Sequence, residues 1–398
     1  MSEGSGASPG AVHQFVPALI PRDATGSHTL LLRDALRRAG LRSEIFAEAT
    51  HDELLAESIP AERYPQVAAP GDVLVYQFST SSMVAELLAD RPEPLVIHYH
   101  NITGPEHYEA WEPDIARRAA DARRQLRLLA PRAVLGLADS AFNEADLRAA
   151  GCGRTLVVPV LSDHGRLGVP PDPPTVAALA AGKAAGGADW LFVGRLVPSK
   201  AQHELVKALW VYRRLYDPRA RLHLVGLPAS PPYARALAAF IDSLGLADAA
   251  VVHGEVSDAA LAAHFAAADV FVCLSQHEGF GIPLLEAMGT GTPVVALDAG
   301  AVGSTLGDAG VVLAPAGALR VAAAVHRILG DPRLHAALVG AGRRRAGQLA
   351  LATSTAVTVA ALVDLVEQGR AGQPAPAGPP ARAVTPATTS PTAGSGRR

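Results

Sequence analysis

Residues 268–297 read ADVFVCLSQHEGFGIPLLEAMGTGTPVVAL, and the fold is decided on this stretch. Val270 to Leu274 form a short apolar run with the β-branched content of a buried strand. A polar, glycine-bearing turn, Ser275 to Gly281, follows it. Pro283 then stands where a helix's first residue has no need of an N–H. The spacing predicts a short helix from Pro283 to about Met288, stopped near Gly289 and Gly291, and a second buried strand from Pro293 to Leu297. Strand, loop, helix and strand in this order build parallel sheets covered by helices.

The turn carries two carboxylates. Glu278 lies beyond the C-terminal end of the strand, and Glu286 lies eight residues later on the helix. Gly279 and Gly281 leave backbone N–H groups uncovered beside a helix N-terminus, a place suited to anions and sugar hydroxyls. A solvent-facing pair is the plain alternative, since most glutamates are exposed. PLLEAM, however, sets Glu286 among apolar neighbours.

Residues 277–296, HEGFGIPLLEAMGTGTPVVA, resemble the signature of retaining nucleotide-sugar glycosyltransferases of family four, which have the GT-B fold. In that family two glutamates separated by seven residues mark the donor site, as Glu278 and Glu286 do here. The resemblance implies an α/β chain of two doubly wound Rossmann-like domains facing across a cleft. The second would hold a nucleoside diphosphate sugar and the first an acceptor. Gly279, Phe280, Gly281 and Ile282 would border the donor sugar, Glu278 would orient it, and Glu286 would accept from the ribose hydroxyls.

Upstream, ADWLFVGRLVPSK (188–200) runs from a strand through Gly194 and Arg195 to Lys200 and a long helix. Two fixed positive charges beside a helix N-terminus would hold a pyrophosphate and stabilise its charge as a sugar leaves. Alone they read as surface residues, but GRLVPSK is similar to the family's diphosphate-binding pair. The backbone around Gly254 to Val256 is implied to meet the nucleotide base.

The first half opens with the strand AVHQFVPALI, the turn PRDATGS and a helix over His28 to Arg38. Gly26 reads either as a plain turn glycine or as a close approach for a phosphate. Arg22 stands where related chains often carry glycine. DVLVYQF (72–78) and PLVIHYH (94–100) are further strands, on the second of which His98 and His100 share a face. YHNIT (99–103) looks like the segment of a bacterial branch of the family that places a histidine beside the donor sugar, which implies His100 rather than His98 or His107. A helix is expected from about Glu106 to Leu129.

The organisation read from composition is a first domain over 11–163, a linker over 164–187 with one helical turn, and a second domain over 188–349. The final helix, 350–367, is implied by the family to return to the first domain. Residues 368–398, rich in Pro, Ala and Thr, read as disordered, as does the Gly/Ser-rich segment 1–10.

The chain of 398 residues carries a net charge of −3, which gives no footprint for nucleic acid. Its two cysteines make no disulfide framework, so a reducing, cytoplasmic setting is expected. No signal peptide is evident, and no uninterrupted apolar run is long enough to span a membrane. Arg117, Arg118, Arg123, Arg124, Arg127 and Arg132 crowd one helical stretch with Leu126, Leu128 and Leu129. That face is either solvated or a peripheral contact with anionic lipid at the inner membrane face. Neither His-x-x-x-His nor paired cysteines at zinc spacing occur, so no metal is expected. The nucleotide sugar would be a co-substrate, with Arg195 and Lys200 in place of a metal at its phosphates.

These readings lead to hexosyl transfer with retention, from a GDP- or UDP-sugar to a hydroxyl of a glycan, lipid-linked or small-molecule acceptor. A role in bacterial surface glycan synthesis is an expectation by analogy. A sugar-nucleotide epimerase of the same fold and a non-catalytic glycan-binding protein remain the alternatives.

Overall fold

The computed structural model describes residues 11–162 and 164–370. The segments read as disordered, 1–10 and 368–398, lie outside the described residues except for 368–370, which instead close the last helix. In the first half the strands are β1 (Val12–Leu19), β2 (Ile45–Thr50), β3 (Ile59–Pro60), β4 (Val73–Phe78), β5 (Leu95–Tyr99), β6 (Leu135–Ala138) and β7 (Thr155–Val157). They lie side by side in the order β3-β2-β1-β4-β5-β6-β7. The helices between them are α1 (Ala24–Arg38), α2 (Tyr64–Val67), α3 (Met83–Ala89), α4 (Pro113–Leu129) and α5 (Ala141–Ala149).

The second half holds β8 (Asp189–Val193), β9 (Arg221–Val225), β10 (Ala250–Gly254), β11 (Val270–Cys273), β12 (Val294–Leu297) and β13 (Gly310–Leu313). Their order is β10-β9-β8-β11-β12-β13. Around them stand α6 (Pro173–Ala184), α7 (Gln202–Leu215), α8 (Pro231–Ser243), α9 (Asp258–Ala267), α10 (Ile282–Thr290) and α11 (Val302–Leu306). The chain then runs through α12 (Ala318–Gly330), α13 (Pro332–Gln348) and α14 (Leu351–Arg370). The pairings within both sheets are parallel, for instance Tyr76 beside Ile97 and Val272 beside Val295. β4 is buried along its whole length, as strands covered by helices on both faces must be.

Local chemistry sets the boundaries. Asp23 caps α1 by accepting from the Thr25 and Gly26 N–H groups at 3.0 and 3.2 Å. Pro113 starts α4, so the helix expected from Glu106 begins later, after a short 3-10 turn at Pro105–His107. The linker holds more than one turn. Asp172 caps α6, two prolines follow at its start, and an alanine-rich run of 12 residues carries it to Ala184. That helix packs against α9.

α14 crosses to the first half. Leu362, Leu365 and Val366 are buried against Val12, Leu32, Leu36 and Val73, closing one face of the first sheet. The stretch Pro332–Gly369 has the length and apolar composition of a membrane span, which the search for uninterrupted runs missed. Its chain is broken between α13 and α14, and both helices bury faces against this protein's own core.

Candidate functional site

The two halves meet over the C-terminal ends of their strands. In the second half, β8 leads through Gly194 and Arg195 to Lys200, and β11 leads to Glu278. Lys200 Nζ donates to Glu278 Oε1 at 2.6 Å. Glu278 is 9% exposed, so this is a largely desolvated pair. The loops bearing them are tied together where the Gln276 N–H donates to the Ser199 carbonyl at 2.8 Å.

Two helix N-termini converge here without side-chain caps. α7 starts behind Ala201 (φ 49°) and α10 behind Gly281 (φ 90°). The N–H groups of Gly279, Phe280 and Gly281 reach no acceptor among the described residues. Arg195 is exposed, and its guanidinium has no ion pair or hydrogen bond among the described residues. The arrangement therefore offers an ammonium, a guanidinium, several free N–H groups and one carboxylate, which is equipment for a polyanion attached to a polyol.

Gly279 is where the halves touch. Its carbonyl accepts from Ser140 Oγ at 2.7 Å, and the same Ser140 oxygen caps α5. A Cβ at residue 279 would lie 2.6 Å from Asn101 Cβ, so any side chain there would push the first half away. Asn101 itself takes φ 75° and accepts from His277 Nε2 at 2.9 Å. Burial, then the neighbouring His107, lowers the His277 ring to about 4, leaving it neutral at pH 7.

His100 lies just past β5, and its side chain is 4% exposed. Its surroundings fix its protons. The Thr29 carbonyl can only accept, so Gln14 presents its NH2 there at 3.0 Å. Gln14 Oε1 then accepts from Gln77 Nε2 at 2.7 Å, and Gln77 Oε1 is left facing His100 Nε2 at 2.7 Å. Asp139 Oδ2 faces His100 Nδ1 at 2.9 Å, while its other oxygen meets His98 Nε2 at 3.1 Å. Both His100 nitrogens thus face hydrogen-bonding groups that hold the ring in place. His28 joins the two rings edge-on, with its Nδ1 accepting from the Leu161 N–H at 2.9 Å.

Glu286 is 3% exposed on α10. Its Oε1 accepts from Arg166 Nε at 2.7 Å, its Oε2 has no partner, and Arg166 also approaches Asp258 at 3.5 Å. Burial raises the Glu286 carboxyl above the usual range, with Arg166 opposing it. Glu286 makes no direct contact with Glu278 or Lys200. It borders a cavity of about 1220 Å³ between α1, α10 and α14, which none of the other candidate residues lines. Ile282 opens α10, and Phe280 is buried in the second core. Val256 is half-buried in the turn before α9.

Gly26 has a packing reason. A Cβ there would meet the Ile20 carbonyl oxygen at 2.6 Å, whatever else approaches its N–H. Arg22 takes φ 59°, the left-handed conformation that glycine would adopt freely, and reaches Glu255 across the cleft at 3.7 Å.

Sequence reasoning missed Asp139, Gln77, Gln14, Arg166 and His277. Asp139 closes the run LGLAD at a strand end, and that position was its one signal. It also found no metal-ligating group, whereas folding brings together His28, His98 and His100, and separately His223, His253 and His264. In the first trio the nitrogens are largely spent on Leu161, Asp139 and Gln77.

Residues 180–345 match the family of glycosyl transferases group 1. The chain is 35% identical over 293 residues to a D-inositol 3-phosphate glycosyltransferase of Geodermatophilus obscurus, spanning 71% of this chain but 58% of that one. It is 33% identical to the enzyme of the same name from Kineococcus radiotolerans, covering 74% of this chain and 70% of the relative. A GDP-mannose-dependent alpha-(1-6)-phosphatidylinositol monomannoside mannosyltransferase of Mycolicibacterium smegmatis shares 37% over 160 residues, 38% of this chain and 41% of that one. Among solved structures, Anabaena HepE in complex with UDP and glucose superposes with a TM-score of 0.70 at 22% identity, over 89% of this chain and all (100%) of the other. The fold is GT-B, two parallel Rossmann-like sheets of seven and six strands. The chain belongs to the glycosyl transferases group 1 family.

Proposed function

We propose that the protein moves a hexosyl group, with retention at the anomeric carbon, from a nucleoside diphosphate sugar to an acceptor hydroxyl. The observation that carries this reading is the Lys200–Glu278 pair at 2.6 Å between two uncapped helix N-termini, with an unpaired Arg195 beside it. Lys200 keeps two further N–H groups, and with Arg195 it neutralises the departing diphosphate. Glu278 and the amides of Gly279, Phe280 and Gly281 orient the sugar, and Ile282 shapes its pocket. The unpartnered Oε2 of Glu286 accepts from the ribose, Val256 lies against the base, and Gly26, whose N–H is given to Asp23, lets the backbone at the start of α1 come close to a phosphate. His100 stands on the first-half side, held by Asp139 and Gln77. The leaving phosphate takes the acceptor proton as attack occurs on the same face.

GDP-mannose is the first donor to try, because one relative's name specifies it, and UDP-sugars come next. The relatives named for D-inositol 3-phosphate make an inositol-bearing or lipid-linked hydroxyl the acceptor of choice, within bacterial surface glycan synthesis. YHNIT supports placing the chain in the bacterial branch that carries this segment. The deciding experiment is a thermal-shift panel of UDP, GDP, ADP and their sugar conjugates on the natural protein and on Arg195→Ala and Lys200→Ala. One nucleotide should raise the natural midpoint and leave the variants unmoved. Arg195→Ala should fold normally, within about 0.5 kcal/mol, as an exposed, unpaired residue. If no nucleotide shifts the natural protein, the donor site is wrong. Conversion of the donor without any acceptor would favour an epimerase.

We place the protein on the cytoplasmic side, with α4 against anionic lipid. Arg123 and Arg132 turn inward to the carbonyls of Ile102 and Leu88, while Arg117, Arg118, Arg124, Arg127 and Leu128 face outward. Vesicles containing phosphatidylglycerol should pull the protein down at low salt and release it at high salt. Protein left in the supernatant at low salt removes this contact.

A further inference from the structure

Three histidines converge at the edge of the second sheet. His223 is on β9, His253 on β10 and His264 on α9. One ring nitrogen of each lies within 4.8 Å of the other two. His223 and His264 are 8% and 3% exposed, and His253 is half-buried.

Hydrogen bonds fix the tautomers. Asp189 Oδ1 accepts from His223 Nε2 at 3.3 Å, which in the neutral ring leaves the lone pair on Nδ1. Asp189 is kept anionic for this by Arg221 Nε at 2.7 Å and Lys183 Nζ at 3.4 Å. The His223 lone pair faces His253 Nε2 at 3.0 Å, which is therefore the donor. His264 Nδ1 is buried and has no hydrogen-bond partner among the described residues. A buried ring nitrogen left bare forfeits its hydration with nothing in return.

We propose that His223, His253 and His264 bind one divalent transition-metal ion, Zn²⁺ foremost, with Asp189 orienting His223 from behind. Three neutral imidazoles suit zinc, whereas Mg²⁺ and Ca²⁺ require oxygen ligands. A carboxylate behind a ligating histidine is the usual outer support of such a site. Zn–N distances of about 2.0–2.1 Å bring the nitrogens to roughly 3.3 Å apart in a tetrahedral site, so the trio has only to close up. His253 moves its proton from Nε2 to Nδ1, and no proton is released. The half-buried side of His253 leaves a fourth position to water.

The ion would staple β10 to α9 across the turn that holds Val256 and the Ser257 cap. Asp258, next in the chain, meets Arg166, which holds Glu286. The site is thus structural, and it stands independently of the donor reading.

The test uses the full chain, stripped with EDTA and dialysed, then titrated with Zn²⁺ in competition with a chromogenic chelator. One equivalent should bind, Zn²⁺ but not Mg²⁺ should raise the thermal midpoint, and Co²⁺ should give the visible bands of a four-coordinate site. His253→Gln, at a half-buried position, should fold and bind at least tenfold more weakly, and His264→Phe should abolish uptake. Failure of the folded natural protein to take up one equivalent overturns the proposal. So does uptake unchanged in His253→Gln, including uptake lost instead in His28→Gln, which would move the ion to the other histidine group.

Discussion

Burial alone would raise the Asp139 carboxyl, but the charge and hydrogen bond of His100, then those of His98, overcome it and hold the group at about 2. A depressed carboxyl stabilises the fold above its unfolded value, near 3.9, and that stability is lost as the pH falls through about 2. The expected contribution at neutral pH is about 2.6 kcal/mol. Asp139→Asn should therefore be less stable than the natural protein at pH 7, with the gap closing between about pH 3.9 and 2. Denaturant midpoints across that range would check it, and a gap that stays constant would mean the carboxylate charge is irrelevant. The same residue explains why the first-half site was only partly legible. His100 declares itself at the end of an apolar strand, but its partners arrive from β1, β4 and the loop after β6, at sequence distances that no local pattern records.

The unit from β11 to β12 could be read closely because local rules decide it: proline at the helix start, left-handed glycine at its end, β-branched strands on either side. The linker helix α6 was underread, since an Ala/Gly run beside a proline cluster resembles a flexible tether until a capping aspartate is recognised. Arg166 went unseen for the same reason, lying in a segment taken as spacer. The histidine trio escaped because its members sit on neighbouring strands and a helix, where spacing along the chain carries no signal. α14 is the element on which the first core depends. Leu362→Ala, at a fully buried position, should cost about 2–5 kcal/mol by loss of burial and a residual cavity. A shift of the unfolding midpoint below the equivalent of about 1 kcal/mol would mean that α14 docks only loosely.

Across the whole molecule, the halves are joined on the cleft side by polar contacts and by a small buried apolar cluster of Tyr108, Ala116 and Val197. Ser140 meets the Gly279 carbonyl, Asn101 meets His277, and Ser230 Oγ donates to Glu112 at 2.7 Å. Trp111 of the first half stands edge-on to Tyr233 of the second at 5.3 Å. Each polar contact is individually modest, so an opening of the cleft would be opposed mainly by the small apolar cluster and by Trp111, which packs against the second core. The return of α14 to the first sheet has a consequence in time as well as in space. A ribosome finishes every strand of the first sheet by residue 157, yet the helix that covers Val12, Leu36 and Val73 begins at residue 351. At roughly 5–20 residues per second, that interval lasts on the order of 10–40 s. Throughout it, the nascent first half shows an apolar face to the cell and to its own unfinished partner, so chaperone demand should fall on the N-terminal half although it is made first.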